Sequence, residues 1–114
     1  MSFEIKKVAV LGTGVMGGQI AAHLTNAKIS VLAYDIDQET SEKGIKATQE
    51  IKPAAFYNKK TAELITPLNY NDHLSRISEC DWVIEAISER LDWKKDLYSK
   101  ISEHLSEHCV ITSN

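Results

Sequence analysis

The chain has 114 residues, of which 25% are charged and 43% are hydrophobic, with a net charge of −3 and an isoelectric point near 5.8. These values are typical of one globular domain, and the lack of a basic excess argues against nucleic acid or an anionic membrane as a partner. No run approaches the roughly 18 apolar residues of a transmembrane helix, and the first residues lack the layout of a signal or transit peptide, so a cytoplasmic protein is expected.

The first part of the chain predicts two strands with a helix between them. Lys7–Leu11 is apolar without alternation, which is typical of a strand buried on both faces of a parallel sheet. A helix is expected over residues 16–27, and residues 29–34 form a second strand that ends at Asp35. Together these elements make a β-turn-α-β unit.

The middle of the chain predicts a second helix and a short strand. Asp37 is suited to cap a helix over residues 38–51, which should stop near Pro53. Residues 59–64 are interpreted as a further helix. Residues 65–70 contain Pro67, which favours an edge strand because proline cannot donate to a central ladder. A small helix or turn is expected over residues 73–78.

The last part predicts two more strands, over residues 80–86 and 109–112, with a clear helix between them. Four apolar side chains recur there at every fourth position: Trp93, Leu97, Ile101 and Leu105. Strands that alternate with helices predict an α/β fold with a doubly wound (Rossmann), mostly parallel sheet. Right-handed crossovers favour about five strands in the order 3-2-1-4-5, within one domain over residues 1–114.

A glycine-rich turn joins the first strand to the first helix and matches the pattern G-x-G-x-x-G. The residues of this turn are Gly12, Thr13, Gly14, Val15, Met16 and Gly17. In such a turn, Gly12 permits the bend, Gly14 lets the backbone approach a pyrophosphate, and Gly17 lets the helix pack closely. The helix N-terminus offers N–H groups to the phosphates. No lysine follows in the arrangement of a Walker loop, which excludes that class of NTPase.

Asp35 closes the second strand, where a carboxylate can accept hydrogen bonds from an adenosine ribose. It would also repel a 2′-phosphate, and no Lys or Arg follows it before Lys43. The cofactor favoured by the sequence is therefore NAD rather than NADP. The alternative is that the glycines form an ordinary turn and that Asp35 only caps a strand.

The loop after the fourth strand faces the same crevice in a sheet of this order, because strands 1 and 4 flank the topological switch point. Glu89 and Lys94 would lie on this loop and on the first turns of the next helix. A solvated charge pair on a helix face is the alternative interpretation.

Three segments resemble the L-3-hydroxyacyl-CoA dehydrogenase family of fatty-acid β-oxidation: KVAVLGTGVMG (residues 7–17), VIEAISE (residues 83–89) with Lys94, and TSN (residues 112–114). The resemblance implies NAD binding at Gly12, Gly14, Gly17 and Asp35. It also implies that Glu89 and Lys94 contact the nicotinamide-ribose side, with the Ala86 and Ile87 backbone nearby and Asn114 near the nicotinamide.

Members of that family oxidise a 3-hydroxyacyl-CoA to the 3-ketoacyl-CoA. A histidine oriented by a glutamate takes the hydroxyl proton, and a serine and an asparagine hold the substrate oxygen. The resemblance places these groups and a helical domain after residue 114, and Ser113 is not the family's serine. No catalytic residue is therefore assigned within the chain, and acyl-CoA is the expected substrate of a longer parent. Contacts of Lys59 or Lys60 with CoA are weaker suggestions than simple solvation.

Two other functions remain open at this point. One is the NAD-binding domain of another hydroxy-acid or sugar-nucleotide dehydrogenase. The other is a non-catalytic NAD(H)-sensing module. A homodimer is also open, since apolar surface left by a missing part could pair with a second copy.

Several side chains that could suggest other chemistry are interpreted as structural. Residues 104–108 match H-x-x-E-H, but they fall at a helix end with no third ligand downstream, so no metal site is predicted. His23 is expected to pack or to face solvent near the glycine turn. The same preference for packing applies to Tyr34, Trp82, Trp93 and the two cysteines, Cys80 and Cys109.

Overall fold

The computed structural model describes residues 5–49, 63–87, 93–105, 107 and 109–113. The elements in chain order are β1 (Lys7–Leu11), α1 (Val15–Asn26), β2 (Ser30–Asp35), α2 (Gln38–Gln49), β3 (Ile65–Asn69), α3 (Tyr70–His73), a 3-10 helix (Leu74–Glu79), β4 (Trp82–Glu85), α4 (Trp93–Ser102) and β5 (Val110–Ser113).

The five strands form one parallel sheet in the order β3-β2-β1-β4-β5, which confirms the predicted fold and strand order. β1 lies at the centre, and Leu11 at its end is paired with Tyr34 of β2 and Glu85 of β4. The chain moves outward to β3 and then crosses to β4 on the other side of β1. Such a reversal leaves a crevice at the carboxyl ends of β1 and β4.

Both faces of the sheet are covered, which explains why β1 shows no alternation of apolar and polar residues. On one face, Ala21, Ala22 and Ile45 of α1 and α2 pack against the sheet. On the other face, Ile77, Leu97 and Ile101 of the 3-10 helix and α4 do the same. The side chains of residues 8–11 are fully buried between these layers.

The predicted element boundaries differ from the observed ones by a few residues. Pro67 lies in β3 at the edge of the sheet, as expected, and the predicted small helix over residues 73–78 is a short helix followed by a 3-10 helix. The extension of the last helix to Leu105 was wrong, because α4 ends at Ser102. Residues 63–64 form a turn rather than a helix, and the rest of the predicted helix over 59–64 lies outside the described residues.

Within the described ranges, no helix has both the length and the apolar character needed to cross a bilayer.

Candidate functional site

The carboxyl ends of β1, β2 and β4 meet at one side of the sheet, here called the carboxyl edge and defined by Leu11, Asp35 and Glu85. The turn that follows β1 is held between the two neighbouring strands. The Gly12 N–H donates to the Tyr34 carbonyl oxygen at 2.8 Å, and the Ala86 N–H donates to the Leu11 carbonyl oxygen at 2.9 Å. The fold thus brings the glycine turn, Asp35 and Ala86 together, as the sequence predicts.

The three glycines of the turn have different surroundings. Gly12 has a φ of +105°, a conformation that side chains rarely adopt. A Cβ on Gly17 would collide with the Gly12 carbonyl oxygen, so α1 can approach the turn only if residue 17 is glycine. These two glycines are therefore required by the fold itself.

Gly14 is not required by the fold. Its φ of −67° is open to any residue, and no heavy atom of the described chain lies within 4 Å of the position that a Cβ would take. Gly14 is also the N-cap of α1. It has no side chain that could accept a hydrogen bond from the first turn, and no acidic residue lies in that turn. The space beside Gly14 and the positive end of α1 together suit a phosphate group.

Asp35 is tied to the glycine turn by Thr13. Asp35 Oδ2 accepts hydrogen bonds from the Thr13 N–H at 2.9 Å and from the Thr13 hydroxyl at 2.6 Å. Thr13 is only 3% exposed and its hydroxyl is hydrogen-bonded to the Asp35 carboxylate, so its side chain is not available as a direct cofactor contact. The sequence interpretation, which counted Thr13 with the cofactor loop, did not foresee this contact.

The other carboxylate oxygen of Asp35 is less occupied. Oδ1 accepts one hydrogen bond, from the Ile36 N–H at 2.8 Å. Since each carboxylate oxygen can accept about two hydrogen bonds, Oδ1 retains capacity for a hydroxyl donor. A ribose hydroxyl requires such a hydrogen-bond acceptor.

Gly44 in α2 is a site residue that the sequence analysis missed. A Cβ at this position would collide with the Thr13 carbonyl oxygen and lie 2.5 Å from the Thr13 hydroxyl oxygen. Gly44 therefore allows α2 to pack directly on Thr13. A glycine in a helix interior costs about 1 kcal/mol relative to alanine, and that cost was the available signal of a close approach.

A cavity of about 370 Å³ lies just beyond Asp35, on the face of the sheet that carries α4. Its lining residues are Ile36, Tyr70, Asn71, Leu74, Asp96, Leu97 and Lys100. Ile36 is 55% exposed, so it offers an apolar surface beside the carboxylate. A planar heterocycle attached to a ribose at Asp35 could reach this cavity.

Tyr34, next to Asp35, is a packing residue. It is fully buried, stacks on Tyr70 with ring centroids 5.8 Å apart, and donates its hydroxyl to the His73 carbonyl oxygen at 2.7 Å. Burial raises the pKa of the Tyr34 phenol well above its ordinary value. The expectation that Tyr34 packs within the sheet is confirmed.

Glu85 ends β4 as a buried carboxylate, only 4% exposed. Its Oε2 accepts from the Ile87 N–H at 2.6 Å, and its Oε1 accepts from the Tyr98 hydroxyl at 2.9 Å. No role for Glu85 was predicted from the sequence.

The remaining predicted site residues are less fully placed. Val15 and Met16 begin α1, and Met16 is 56% exposed. Lys94 lies in the first turn of α4. Glu89 and Asn114 lie outside the described residues, so their roles stay predictions.

Among the described residues, no group of three His, Cys, Asp or Glu side chains is arranged to hold a metal ion. His104 follows the end of α4, and residues 106 and 108 of the H-x-x-E-H match lie outside the described residues. His23 lines a largely apolar cavity beside α1.

Comparison with known proteins adds independent information. Residues 7–114 match the family described as "3-hydroxyacyl-CoA dehydrogenase, NAD binding domain". A relative from Deinococcus radiodurans, named "Probable 3-hydroxyacyl-CoA dehydrogenase", is 42% identical over 118 residues, which cover 97% of this chain and 34% of that protein. The Arabidopsis thaliana "Peroxisomal fatty acid beta-oxidation multifunctional protein AIM1" is 30% identical over 115 residues, covering 96% of this chain and 16% of that protein.

A solved structure supports the same relationship. The 3-hydroxybutyryl-CoA dehydrogenase from Escherichia coli superposes with a TM-score of 0.79 at 28% identity, covering 98% of this chain and 25% of that one. The chain thus spans about a third or less of the length of each of these three relatives.

Proposed function

Because the chain belongs to the 3-hydroxyacyl-CoA dehydrogenase family through its NAD-binding domain, we propose that it holds NAD at the carboxyl edge for an enzyme that oxidises 3-hydroxyacyl-CoA to 3-ketoacyl-CoA. The proposal extends to fatty-acid β-oxidation as the setting of that reaction. NAD is the cofactor of the family, and when bound it supplies the acceptor for the substrate hydride.

The observation that carries this proposal is the open space beside Gly14. The fold requires Gly12 and Gly17, but neither the backbone conformation nor the packing of the described residues requires a glycine at position 14. A group that must approach the backbone there explains the residue, and a pyrophosphate at the N-terminus of α1 has the right charge. The backbone of residues 14–16 would then donate to it.

Asp35 would bind the ribose of the adenosine half. Its Oδ2 is taken by Thr13, so Oδ1 is the oxygen that accepts a ribose hydroxyl. The same carboxylate would repel a 2′-phosphate, which favours NAD over NADP. The cavity beyond Ile36 has the position and size for the adenine.

The nicotinamide half would lie on the other side of the glycine turn, against the backbone of Ala86 and Ile87. We assign Glu89, Lys94 and Asn114 to this half, as the resemblance implies. No catalytic residue is assigned in this chain, so the proton acceptor of the reaction would come from a further part of the parent protein. Acyl-CoA as substrate belongs to that whole protein.

The finer features of the parent are proposals of the same kind. Residues 1–114 would form its cofactor domain, with the helical substrate domain elsewhere in the polypeptide. A homodimer and a cytoplasmic location, both expected from the sequence, stay predictions.

The test is calorimetry of the 114-residue chain with NADH and with NADPH. We expect NADH to bind and NADPH to bind at least about tenfold more weakly, because of the charge on Asp35. No heat with millimolar NADH, from protein that is folded by circular dichroism, would overturn the proposal.

The enzyme class is tested with a longer natural chain that contains these residues. Consumption of NADH with a 3-ketoacyl-CoA would support the proposal. Turnover with a sugar nucleotide, or NADH binding without turnover of any such substrate, would instead support one of the two alternative functions.

A further inference from the structure

The buried carboxylate of Glu85 has no role in the site as described so far. Glu85 lies two residues after Val83 and so points to the same face of the sheet, among the side chains that pack under α4. It is 4% exposed, on a face of the sheet that is covered by the 3-10 helix and α4, where apolar side chains otherwise pack. A buried carboxylate is costly to the folded state unless its oxygens are hydrogen-bonded.

Both oxygens of Glu85 are hydrogen-bonded, and the two donors lie on different elements. Oε2 accepts from the Ile87 N–H at 2.6 Å, a short bond of the charge-assisted kind. Oε1 accepts from the hydroxyl of Tyr98 in α4 at 2.9 Å. The Glu85 side chain therefore holds the two residues after β4, Ala86 and Ile87, and links them to α4.

Those two residues lie against the glycine turn. A Cβ on Gly12 would be 3.0 Å from the Ala86 carbonyl oxygen, and one on Gly17 would be 3.5 Å from the Ala86 Cβ. The Ala86 N–H is bonded to Leu11. Ala86 and Ile87 thus form a wall of the crevice, held by the turn on one side and by Glu85 on the other.

We infer that Glu85 is a positioning residue of the cofactor site, which acts through the backbone of Ala86 and Ile87, with Tyr98 as its partner. This inference rests on the proposed function, since it assumes that the wall contacts the dinucleotide. Neither Glu85 nor Tyr98 needs to touch the cofactor, because Glu85 is hydrogen-bonded to the Ile87 N–H of the wall and Tyr98 is hydrogen-bonded to Glu85.

The same sheet offers a matched control at its opposite side, the amino edge, where β1 and β4 begin at Lys7 and Trp82. There the Asp81 carboxylate also accepts backbone N–H groups, from Lys6 at 2.9 Å and from Lys7 at 3.1 Å. Asp81 therefore also holds backbone N–H groups by hydrogen bonds, but it lies at the end of the sheet opposite to the proposed cofactor site.

The experiment measures NADH binding by calorimetry, and the fluorescence anisotropy of the bound NADH, for Glu85→Gln, Tyr98→Phe and Asp81→Asn. Glutamine has no charge and one acceptor oxygen, so Glu85→Gln weakens the charge-assisted bond from Ile87 and reverses the bond to the Tyr98 hydroxyl, which could then only accept. We expect its Kd for NADH to rise about tenfold and that of Tyr98→Phe about threefold, with lower anisotropy of the bound nicotinamide in both. Asp81→Asn should lower the melting temperature but keep the Kd within about twofold of the unsubstituted chain.

Glu85→Gln that is folded and binds NADH with the Kd and anisotropy of Asp81→Asn overturns the inference. If Glu85→Gln does not fold, Tyr98→Phe decides, because it keeps the bond from Ile87 to the carboxylate; an unchanged Kd in that variant has the same meaning. Loss of NADH binding in the unsubstituted chain would instead defeat the proposed function, and this inference with it.

Discussion

Glu79 and Asp35, two carboxylates at opposite ends of the sheet, have different hydrogen-bond partners. At the amino edge, Glu79 is paired with two cations, Lys7 at 2.7 Å and Arg76 at 3.0 Å. At the carboxyl edge, the donors to Asp35 among the described residues are all neutral: the N–H and hydroxyl of Thr13 and the N–H of Ile36. Within the part of the chain that the structure describes, no Lys or Arg pairs with Asp35.

This difference separates stability from function. An exposed ion pair neutralises a charge and adds a little to stability. A carboxylate that is oriented by neutral donors keeps its negative charge and an acceptor for a further group. The amino edge is therefore expected to affect only unfolding, whereas the carboxyl edge is expected to affect binding.

The largest expected effect comes from two glycines of the carboxyl edge. Gly14→Val fills the space proposed for the pyrophosphate, so NADH binding should weaken by at least about 100-fold. The Cβ meets no protein atom, so stability should change by only about 1 kcal/mol, the cost of a poor N-cap. Calorimetry and thermal unfolding by circular dichroism measure the two effects.

Gly17→Val is the companion variant. Its Cβ would collide with the Gly12 carbonyl oxygen, so this chain should fail to fold rather than merely fail to bind. If Gly14→Val still binds NADH, the phosphates must lie elsewhere, and the proposed role of the carboxyl edge in binding is contradicted.

The comparison of these glycines also bears on how much of the fold and of the site could be predicted from the sequence. The strand order and the meeting of the glycine turn with Asp35 were predictable, because apolar runs and turn residues are local signals and right-handed crossovers leave few topologies.

The hydrogen bond between Thr13 and Asp35 was not predictable, since it joins residues 22 positions apart and depends on how their side chains are oriented. Gly44 and Glu85 were missed for the same reason, because each acts on a partner in another element or loop. The end of α4 at Ser102 was missed because Leu105 continued its apolar spacing.

A second pair of variants compares the two edges directly. Asp35→Ala should weaken NADH binding about tenfold and reduce the discrimination against NADPH, because the ribose acceptor and its charge are both removed. Asp81→Ala should lower stability by about 1 kcal/mol, through the lost hydrogen bonds from the exposed Lys6 N–H and the half-buried Lys7 N–H, and leave the preference for NADH unchanged. An Asp35→Ala chain with the original cofactor preference would contradict the role of the carboxyl edge.

A smaller effect is expected from Thr13, which orients Asp35. Thr13→Val keeps the shape of the side chain and the backbone bond at 2.9 Å but removes the hydroxyl bond at 2.6 Å. We expect NADH to bind about three- to fivefold more weakly. Thr13→Ser retains a hydroxyl and should restore most of the affinity, and failure of that rescue would show that the methyl group, not the bond to Asp35, is what matters.

The smallest effect is expected at the amino edge, from Glu79→Gln. The hydrogen bond from Arg76, and then that from Lys7, lowers the pKa of the Glu79 carboxyl in the folded chain. Its contribution is therefore present above the pKa of an unfolded glutamate, near 4.3, and is lost as the pH falls through the lower folded value. Because the side chain is 39% exposed, solvent screening limits the contribution to about 0.5 kcal/mol at pH 7. Urea unfolding should show this difference at pH 7 in low salt, less of it in high salt, and progressively less of it as the pH falls below about 4.3, with NADH affinity at pH 7 equal in the two chains. A change in NADH affinity would mean that the amino edge also acts on the cofactor, and the separation of the two edges would fail.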